Sequence, residues 1–200
     1  MNHLELRFPV TGSTLPIDHG YALYGAISRL IPLVHQMPAL AIDSIKGRPI
    51  GPGILALSTP TTLNLRLPEE SLPFLQALAE RSLDIDGHLI QLAVPHVASL
   101  APAHTLHSPR VTIKGHTNPT VFQDALRRQL DRLAVDAEPI IGHRRIIRIS
   151  NHQIVGFEVR LENLAEDSSL ILQEVGLGGR HKMGCGFFNP LPKPVWPCQS

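Results

Sequence analysis

Residues 176–188 read Gly176-Leu177-Gly178-Gly179-Arg180-His181-Lys182-Met183-Gly184-Cys185-Gly186-Phe187-Phe188, with five glycines and three basic side chains in one run. Because glycine has no Cβ, the backbone can turn sharply there and approach a ligand closely. Free N–H groups beside Arg and Lys predict an anion-binding loop, and phosphate is the anion that such loops commonly hold. We call residues 176–188 the glycine loop, and it favours a nucleic-acid ligand.

Two other readings of the glycine loop stand beside this one. The first is a flexible connection to a last strand, although a connection does not need glycines interleaved with Arg180, His181 and Lys182. The second is the phosphate loop of a dinucleotide-binding fold. That match is poor because the glycines follow a predicted helix instead of opening one.

The chain has 200 residues, a hydrophobic fraction of 43% and a formal net charge of +1. These values are typical of a soluble globular protein with one medium domain or two small ones. No stretch approaches the ~20 apolar residues of a membrane span, and residues 1–7 lack a signal-peptide pattern. Cys185 and Cys198 are too few for a disulfide framework, so we expect reduced thiols in a cytoplasmic protein. A nucleic-acid site must then be a local basic patch.

The first half of the chain follows the order strand, helix, strands, helix, strand. Residues 3–10 alternate apolar and polar side chains, which indicates a strand. Apolar residues at helical spacing follow Asp18, which is suited to the N-cap, and predict a helix to about Val34 that Pro32 kinks or ends. The other predicted elements are strands at 39–46, 52–58 and 63–67, a helix from Pro68 to about Arg81, and a hairpin at 83–92 with an Asp-Gly turn.

The second half repeats this order, with strands at 111–114, 143–149, 153–161 and 185–188 and helices at 120–134 and 166–175. Strand, helix, two strands, helix, strand is the ferredoxin-like order. The sequence therefore predicts an α+β protein of two tandem ferredoxin-like (RRM-like) domains. We place the domains at 1–95 and 110–192, a linker rich in proline and histidine at 96–109, and a tail at 193–200. This fold hosts many functions, so the function must be argued from the site.

Basic residues are concentrated in the second half. They can form an ordinary solvated face or a contiguous surface for hairpin or duplex RNA, which binds through phosphate contacts. With the loop residues Gly178, Gly179, Arg180, His181 and Lys182, the predicted RNA-binding set comprises Lys114, His116, Arg127, Arg128, Arg132, Arg144, Arg145 and Arg148.

The first helix carries the candidate chemistry. At about 100° per residue, Tyr24, Ser28 and His35 fall within a narrow sector of a regular helix, and His19 lies at its start. His35 suits either a helix C-terminal cap, which gains from the helix dipole, or a general base or acid beside bound RNA. No Cys or carboxylate stands at metal-ligand spacing, so we expect no metal site.

Three segments resemble the Cas6 family of CRISPR repeat-RNA endoribonucleases, most closely its small Cmx6 form of myxococcal-type type I systems. These segments are Phe8–Gly12 with Leu15–Gly25, Val111–Gly115, and Leu172–Phe188. The resemblance implies the two tandem domains and cleavage of precursor CRISPR RNA by attack of a ribose 2′-OH, without metal or cofactor. It also implies a product held as a 3′ stem-loop, other Cas subunits of a type I complex as partners, and target DNA reached only indirectly.

The resemblance also implies site residues. In many relatives the base is a histidine at or after the end of the first helix, often with a tyrosine and a lysine. By position this is His35, with His19 as the competitor. Tyr24, Ser28 and Lys46 are candidates for positioning or charge stabilisation. Two alternatives remain open at this point, which are a catalytically silent RNA-binding subunit and a small-molecule-binding regulator of the same fold.

Overall fold

A computed structural model of the chain describes residues 3–150 and 152–191. Over this part of the chain, no helix combines the length and apolar character required to cross a membrane. The helices are α1 (Gly20–Leu30), α2 (Leu72–Gln76), α3 (Pro119–Arg132) and α4 (Glu166–Val175), with short 3₁₀ turns at Pro32–Gln36, Glu69–Ser71 and His181–Met183. The strands are β1 (His3–Gly12), β2 (Thr14–Pro16), β3 (Ala41–Ile42), β4 (Arg48–Gly51), β5 (Ile54–Ala56), β6 (Thr61–Pro68), β7 (Ser82–Ile85), β8 (His88–Leu92), β9 (His96–Ser99), β10 (Leu106–Val111), β11 (Pro139–Ile149), β12 (His152–Leu161) and β13 (Asn189–Pro190).

Two antiparallel sheets form the body of the molecule. The first has the order β3-β6-β1-β8-β7, and β9 also pairs with β1. The second has the order β11-β12-β10-β13. In the first half β1 lies between β6 and β8, and in the second half β10 lies between β12 and β13. This is the ferredoxin-like arrangement, in which the first strand lies between the third and the last, so the predicted fold class is confirmed. Strands β2, β5 and β4 form a separate small sheet.

Each sheet buries one face against its own helices. In β1, Leu6, Phe8 and Val10 alternate into a core that includes Leu23 and Ile27 of α1. This is the alternation that predicted the strand. In the second half, Phe122 of α3 packs on Phe157 of β12 with ring centroids 4.7 Å apart.

A buried arginine of the first half joins the two halves. Arg66 of β6 is 1% exposed and its Nε donates to Glu5 Oε2 at 2.8 Å, while Glu5 is 4% exposed. The same guanidinium donates to the main-chain oxygens of Gln173 and Phe188 in the second half. It also lies 4.0 Å from the centre of the Phe187 ring. Arg66 therefore couples the first sheet to the end of the glycine loop.

The first predicted helix is shorter than expected. It ends at Leu30, and the chain continues as a 3₁₀ turn after Pro32, which lacks the N–H that would extend the helix. Asp18 is not the N-cap. That position belongs to His19, which makes no side-chain cap bond, and the Asp18 carboxylate instead accepts from the Arg148 N–H and from Arg110 Nη1.

Other element predictions need correction. The helix predicted from Pro68 to Arg81 is only Leu72–Gln76 after a 3₁₀ turn. The segment 96–109, predicted to be a linker, contains strand β9 and the start of β10, leaving 100–105 between them. Residues 185–188 are not a strand because Gly184 and Gly186 have positive φ, and pairing begins at Asn189. The domain boundaries stay a prediction, and the tail at 193–200 lies outside the described residues.

Candidate active site and RNA groove

His35 lies on the 3₁₀ turn that follows α1, at the surface. Its Nδ1 is 2.6 Å from the Tyr24 hydroxyl, and the two rings meet edge to face with centroids 5.5 Å apart. Pro32 creates this geometry because it ends α1 and turns the chain back along the helix. The predicted proximity of Tyr24 and His35 is therefore present.

Lys182 of the glycine loop fixes the same turn from the second half. Its Nζ donates to Val34 O at 2.7 Å and to His35 O at 3.2 Å. Partial burial lowers the pKa of this ammonium from its ordinary value. The contact makes Lys182 a neighbour of the candidate base, whereas the sequence pattern had placed it with the phosphate contacts.

A groove runs along the outer face of α1 and begins at His35. Its first section has a volume of about 430 Å³ and is lined by Tyr21, Tyr24, Gly25, Ser28, Arg29, His35 and the turn between β7 and β8. The second section, of about 880 Å³, shares Tyr21, Ala22 and Asp86 with the first and reaches Ile146 and Arg148 on β11. We call the two sections the α1 groove. It connects the candidate base with the basic hairpin of the second half.

His19, the competing candidate for the general base, is not among the residues that line the α1 groove. Its side chain lies inside the protein and is 1% exposed. Nδ1 donates to Pro16 O at 2.8 Å, and Nε2 accepts the Ile45 N–H at 3.0 Å, so both ring nitrogens are engaged. Burial lowers the pKa of this imidazole, which keeps it neutral and suits it to a structural role. The geometry therefore favours His35 over His19 as the candidate base.

Ser28 and Lys46 differ from the predicted pattern. Ser28 lines the groove, but its hydroxyl donates to Tyr24 O at 2.7 Å, the back-bond that serine makes within a helix. Lys46 is exposed and lines another cavity with Glu5, Arg7 and Arg66. It is not among the residues that line the groove beside His35.

The glycine loop is closed on itself and on its neighbours. The Gly178 N–H donates to Gln129 Oε1 at 2.8 Å, and the Gly179 N–H donates to Thr112 O at 2.9 Å. These two amides therefore do not form the predicted cradle of free donors. His181 is enclosed by the loop, and burial lowers the pKa of its imidazole. Among the predicted loop contacts, Arg180 remains partly exposed, with Nη1 3.4 Å from Thr112 Oγ1.

The predicted basic surface is divided. Arg144, Ile146 and Arg148 share one face of β11, and the last two line the α1 groove. Arg145 lies on the other face, 3.5 Å from Glu158. Arg127 pairs with Glu138 and with Asp124, in a cavity that Asp131 and Asp136 also line, so it lies in acidic surroundings. Arg128, Arg132 and Lys114 are exposed, and His116 is half-buried with Nδ1 2.9 Å from Lys114 O.

Glu158 organises the open face of the second sheet. Its carboxylate lies 2.8 Å from His107 Nε2 and 3.0 Å from His143 Nδ1. These hydrogen bonds lower the pKa of Glu158 to about 2. The cluster is separate from the α1 groove, and it leaves Arg145 with an acidic partner instead of a free surface.

Arg29 is a groove residue that the sequence pattern did not single out. It is exposed, and its Nη2 donates to Asp84 O at 3.1 Å, which leaves its other N–H groups toward the cavity that contains His35. The signal was present in the spacing, because Arg29 follows Ser28 and lies eight residues after Tyr21 on the same helix face. A lone arginine at the C-terminal end of a helix is also explained by its favourable interaction with the helix dipole, so the sequence did not indicate a role for Arg29 in the groove.

Comparisons with known proteins agree with this architecture. The family model described as "Cas6 Crispr" matches residues 4–193. The CRISPR-associated endonuclease Cas6 of Myxococcus xanthus is 37% identical over 190 residues, covering 95% of this chain and 82% of the relative. A solved RAMP protein described as binding different RNA substrates superposes with a TM-score of 0.69 at 16% identity, covering 96% of this chain and 100% of its own. A Cas6-related protein of Pyrococcus furiosus superposes with a TM-score of 0.66 at 14% sequence identity, covering 96% of this chain and 99% of its own.

The family match extends from the first strand to the end of the second sheet, and it includes the α1 groove and the glycine loop. The alignment with the Myxococcus protein covers 95% of the chain. The solved structures add an independent agreement in fold. The chain belongs to the Cas6 family.

Proposed function

We propose that this protein is an endoribonuclease that cleaves precursor CRISPR RNA within its repeats, with His35 as the general base. Membership of the Cas6 family supports CRISPR RNA processing. The observation that carries the assignment is the 2.6 Å contact between Tyr24 and His35 at the end of a groove that leads to Arg148. No cofactor is needed for the chemistry that these residues supply.

His35 Nδ1–H donates to the Tyr24 oxygen and leaves the lone pair on Nε2. This lone pair takes the proton of a ribose 2′-OH, and the 2′-oxygen attacks the adjacent phosphorus. The bond from phosphorus to the 5′-oxygen breaks while that oxygen takes a proton from solvent water, which gives a 2′,3′-cyclic phosphate and a 5′-hydroxyl. The protonated His35 then returns its proton to solvent. The hydrogen bond to Tyr24 holds the ring orientation, which a free surface histidine would not keep.

Cations of the groove stabilise the charge that develops on the phosphate. Arg29 is the nearest candidate, because it lines the same section as His35 and its guanidinium is held at one end by Asp84 O. A fixed donor aimed at a developing charge needs no reorganisation during the reaction. Lys182 has a positioning role, since its Nζ holds the carbonyls of Val34 and His35.

The RNA approaches across the hairpin of β11 and β12. Arg148 and Ile146 line the far section of the α1 groove, and Arg144 shares their face. A stem-loop lying on this face brings its phosphates to the arginines while the strand beyond the stem enters the groove. Retention of the cleaved stem-loop and assembly with other Cas subunits of a type I complex follow from the family, and both are part of the proposal.

Single-turnover cleavage of the repeat RNA encoded beside the gene tests the proposal, in buffer containing EDTA. We expect His35→Ala to lower the rate constant by about 10²- to 10⁴-fold while RNA binding is kept. The matched control is His96→Ala, an exposed histidine of β9 outside the groove. Mass analysis of the 5′ product identifies the cyclic phosphate. An unchanged rate in His35→Ala removes the assignment, and RNA that is bound but never cut identifies a silent binding subunit.

A further inference from the structure

Gly25 lies in the interior of α1, where glycine is unfavourable relative to alanine. A Cβ built on Gly25 would meet only Arg29 Nη1, at an ordinary contact distance of 3.7 Å. Gly20 is different, because its Cβ would lie 2.3 Å from Met183 O, so packing within the protein requires that glycine. Within residues 3–150 and 152–191, no contact requires a glycine at position 25.

The position of Gly25 in the groove suggests that a bound ligand requires the glycine. It lies on the floor of the α1 groove between Tyr24 and His35 on one side and Tyr21 on the other. A missing Cβ lets a ligand approach a helix backbone closely. The glycine therefore fits a groove whose floor is in contact with a ligand group, beside His35, which takes the proton of the ribose 2′-OH.

Tyr21 supplies a second observation. Its side chain is 43% exposed, although it lines both sections of the groove. Exposed aromatic rings in a nucleic-acid groove stack on unpaired bases, independently of base identity. The two tyrosines of the chain are Tyr21 and Tyr24, and both lie on this face of α1. Since Tyr24 is bonded to His35, Tyr21 is the ring left for stacking.

Asp86 sets the direction of the ligand. It lies in the turn between β7 and β8 and lines both sections of the groove opposite α1. A carboxylate repels phosphate but accepts hydrogen bonds from the amino groups of base edges. The part of the groove beside the Asp86 carboxylate therefore suits a base, and the charge of the neighbouring phosphate is left to the Arg29 guanidinium.

We propose that Tyr21, Gly25 and Asp86 form a subsite for one unpaired nucleotide that flanks the scissile phosphate, with its base stacked on Tyr21 and its sugar on Gly25. The inference rests on the proposed cleavage at His35 and adds a ligand group that the cleavage chemistry does not itself require. The subsite positions the ribose for attack, so its loss slows cleavage more than it weakens binding of the stem.

Abasic RNAs test the stacking. Three substrates are compared in single-turnover cleavage, namely the intact repeat and two repeats with an abasic site on either side of the cut bond. We expect Tyr21→Ala to slow cleavage of the intact RNA by about 5- to 150-fold, Tyr21→Phe to keep it, and the loss to vanish on one abasic RNA. An equal loss on all three RNAs, or no loss on the intact one, overturns the stacking role.

Gly25→Ala tests the floor of the groove with a readout that a structural defect would not give. We expect its thermal midpoint to rise by about 2–4 °C while cleavage of the intact repeat slows at least tenfold. The control is Gly51→Ala, which meets nothing within 4 Å and lies outside the groove. A stabilised variant that cuts at the wild-type rate overturns the subsite. If the wild type itself does not cut, the proposed function fails first, so the two failures are distinguishable.

Discussion

Replacing Arg66 is the perturbation with the largest expected effect on stability. In Arg66→Met, the apolar stem of the side chain is kept and the guanidinium is lost. The Glu5 carboxylate, 4% exposed, then loses its 2.8 Å partner at Arg66 Nε. The main-chain oxygens of Gln173 and Phe188 lose a donor as well. Removing one partner of a buried ion pair costs about 3–5 kcal/mol, and here the buried Glu5 charge would keep only the exposed Arg7 guanidinium as a partner.

The chain offers a matched control, because Arg7 contacts the same carboxylate. Its Nε lies 2.7 Å from Glu5 Oε1, but its side chain is 51% exposed, so Arg7→Met should cost less than about 1 kcal/mol. Urea denaturation at 25 °C measures both free energies of unfolding. The double variant Arg66→Met with Glu5→Gln should recover part of the loss, since no carboxylate remains buried alone. Equal losses in the two single arginine variants would refute the reasoning.

Three further expectations concern other parts of the molecule. Glu158→Gln should be less stable than the wild type at pH 6. The difference between the two urea midpoints should shrink as the pH falls from about 4.3 toward the Glu158 pKa of about 2, because the lowered pKa stabilises the fold only while the carboxylate is charged. A difference that persists undiminished at pH 2 contradicts this. Gly20→Ala places a Cβ 2.3 Å from Met183 O and should cost about 1–3 kcal/mol of unfolding free energy. Arg148→Ala should reduce the slope of RNA affinity against salt by about 1, and Arg127→Ala should leave it unchanged because its guanidinium is paired.

The sequence predicted the elements whose signals are local. Helix α4 has the predicted bounds, and the hairpin of β7 and β8 forms around its Asp-Gly turn. Strands β9 and β13 were not predicted, because each consists of a few residues that pair with a strand distant in sequence. Such pairing is a main-chain interaction, and it leaves no periodic pattern in the side chains.

The candidate site also combines local contacts that the sequence predicted with distant contacts that it did not. Helical spacing predicted that Tyr24 and His35 lie close together, and the structure contains that contact. His19 was a competitor because it lies in the helix-start segment that most resembles the family, and its hydrogen bond to Ile45, 26 positions away, left no signal in the sequence. Lys182 reaches His35 across 147 positions, and no spacing rule anticipates such a contact. The amides of the glycine loop were predicted to be free because their partners, Gln129 and Thr112, also lie on distant elements.

The bond from Lys182 to the His35 turn has a consequence during protein synthesis. The ribosome makes the first half early, and domains generally fold in the order in which they emerge. A nascent chain that ends before residue 182 contains Tyr24 and His35 but not the lysine that holds their turn. We therefore expect nuclease activity to appear only when the last helix and the glycine loop have emerged. Messenger and precursor RNA near the translating ribosome are then cut only by the finished enzyme, because its unfinished forms are inactive.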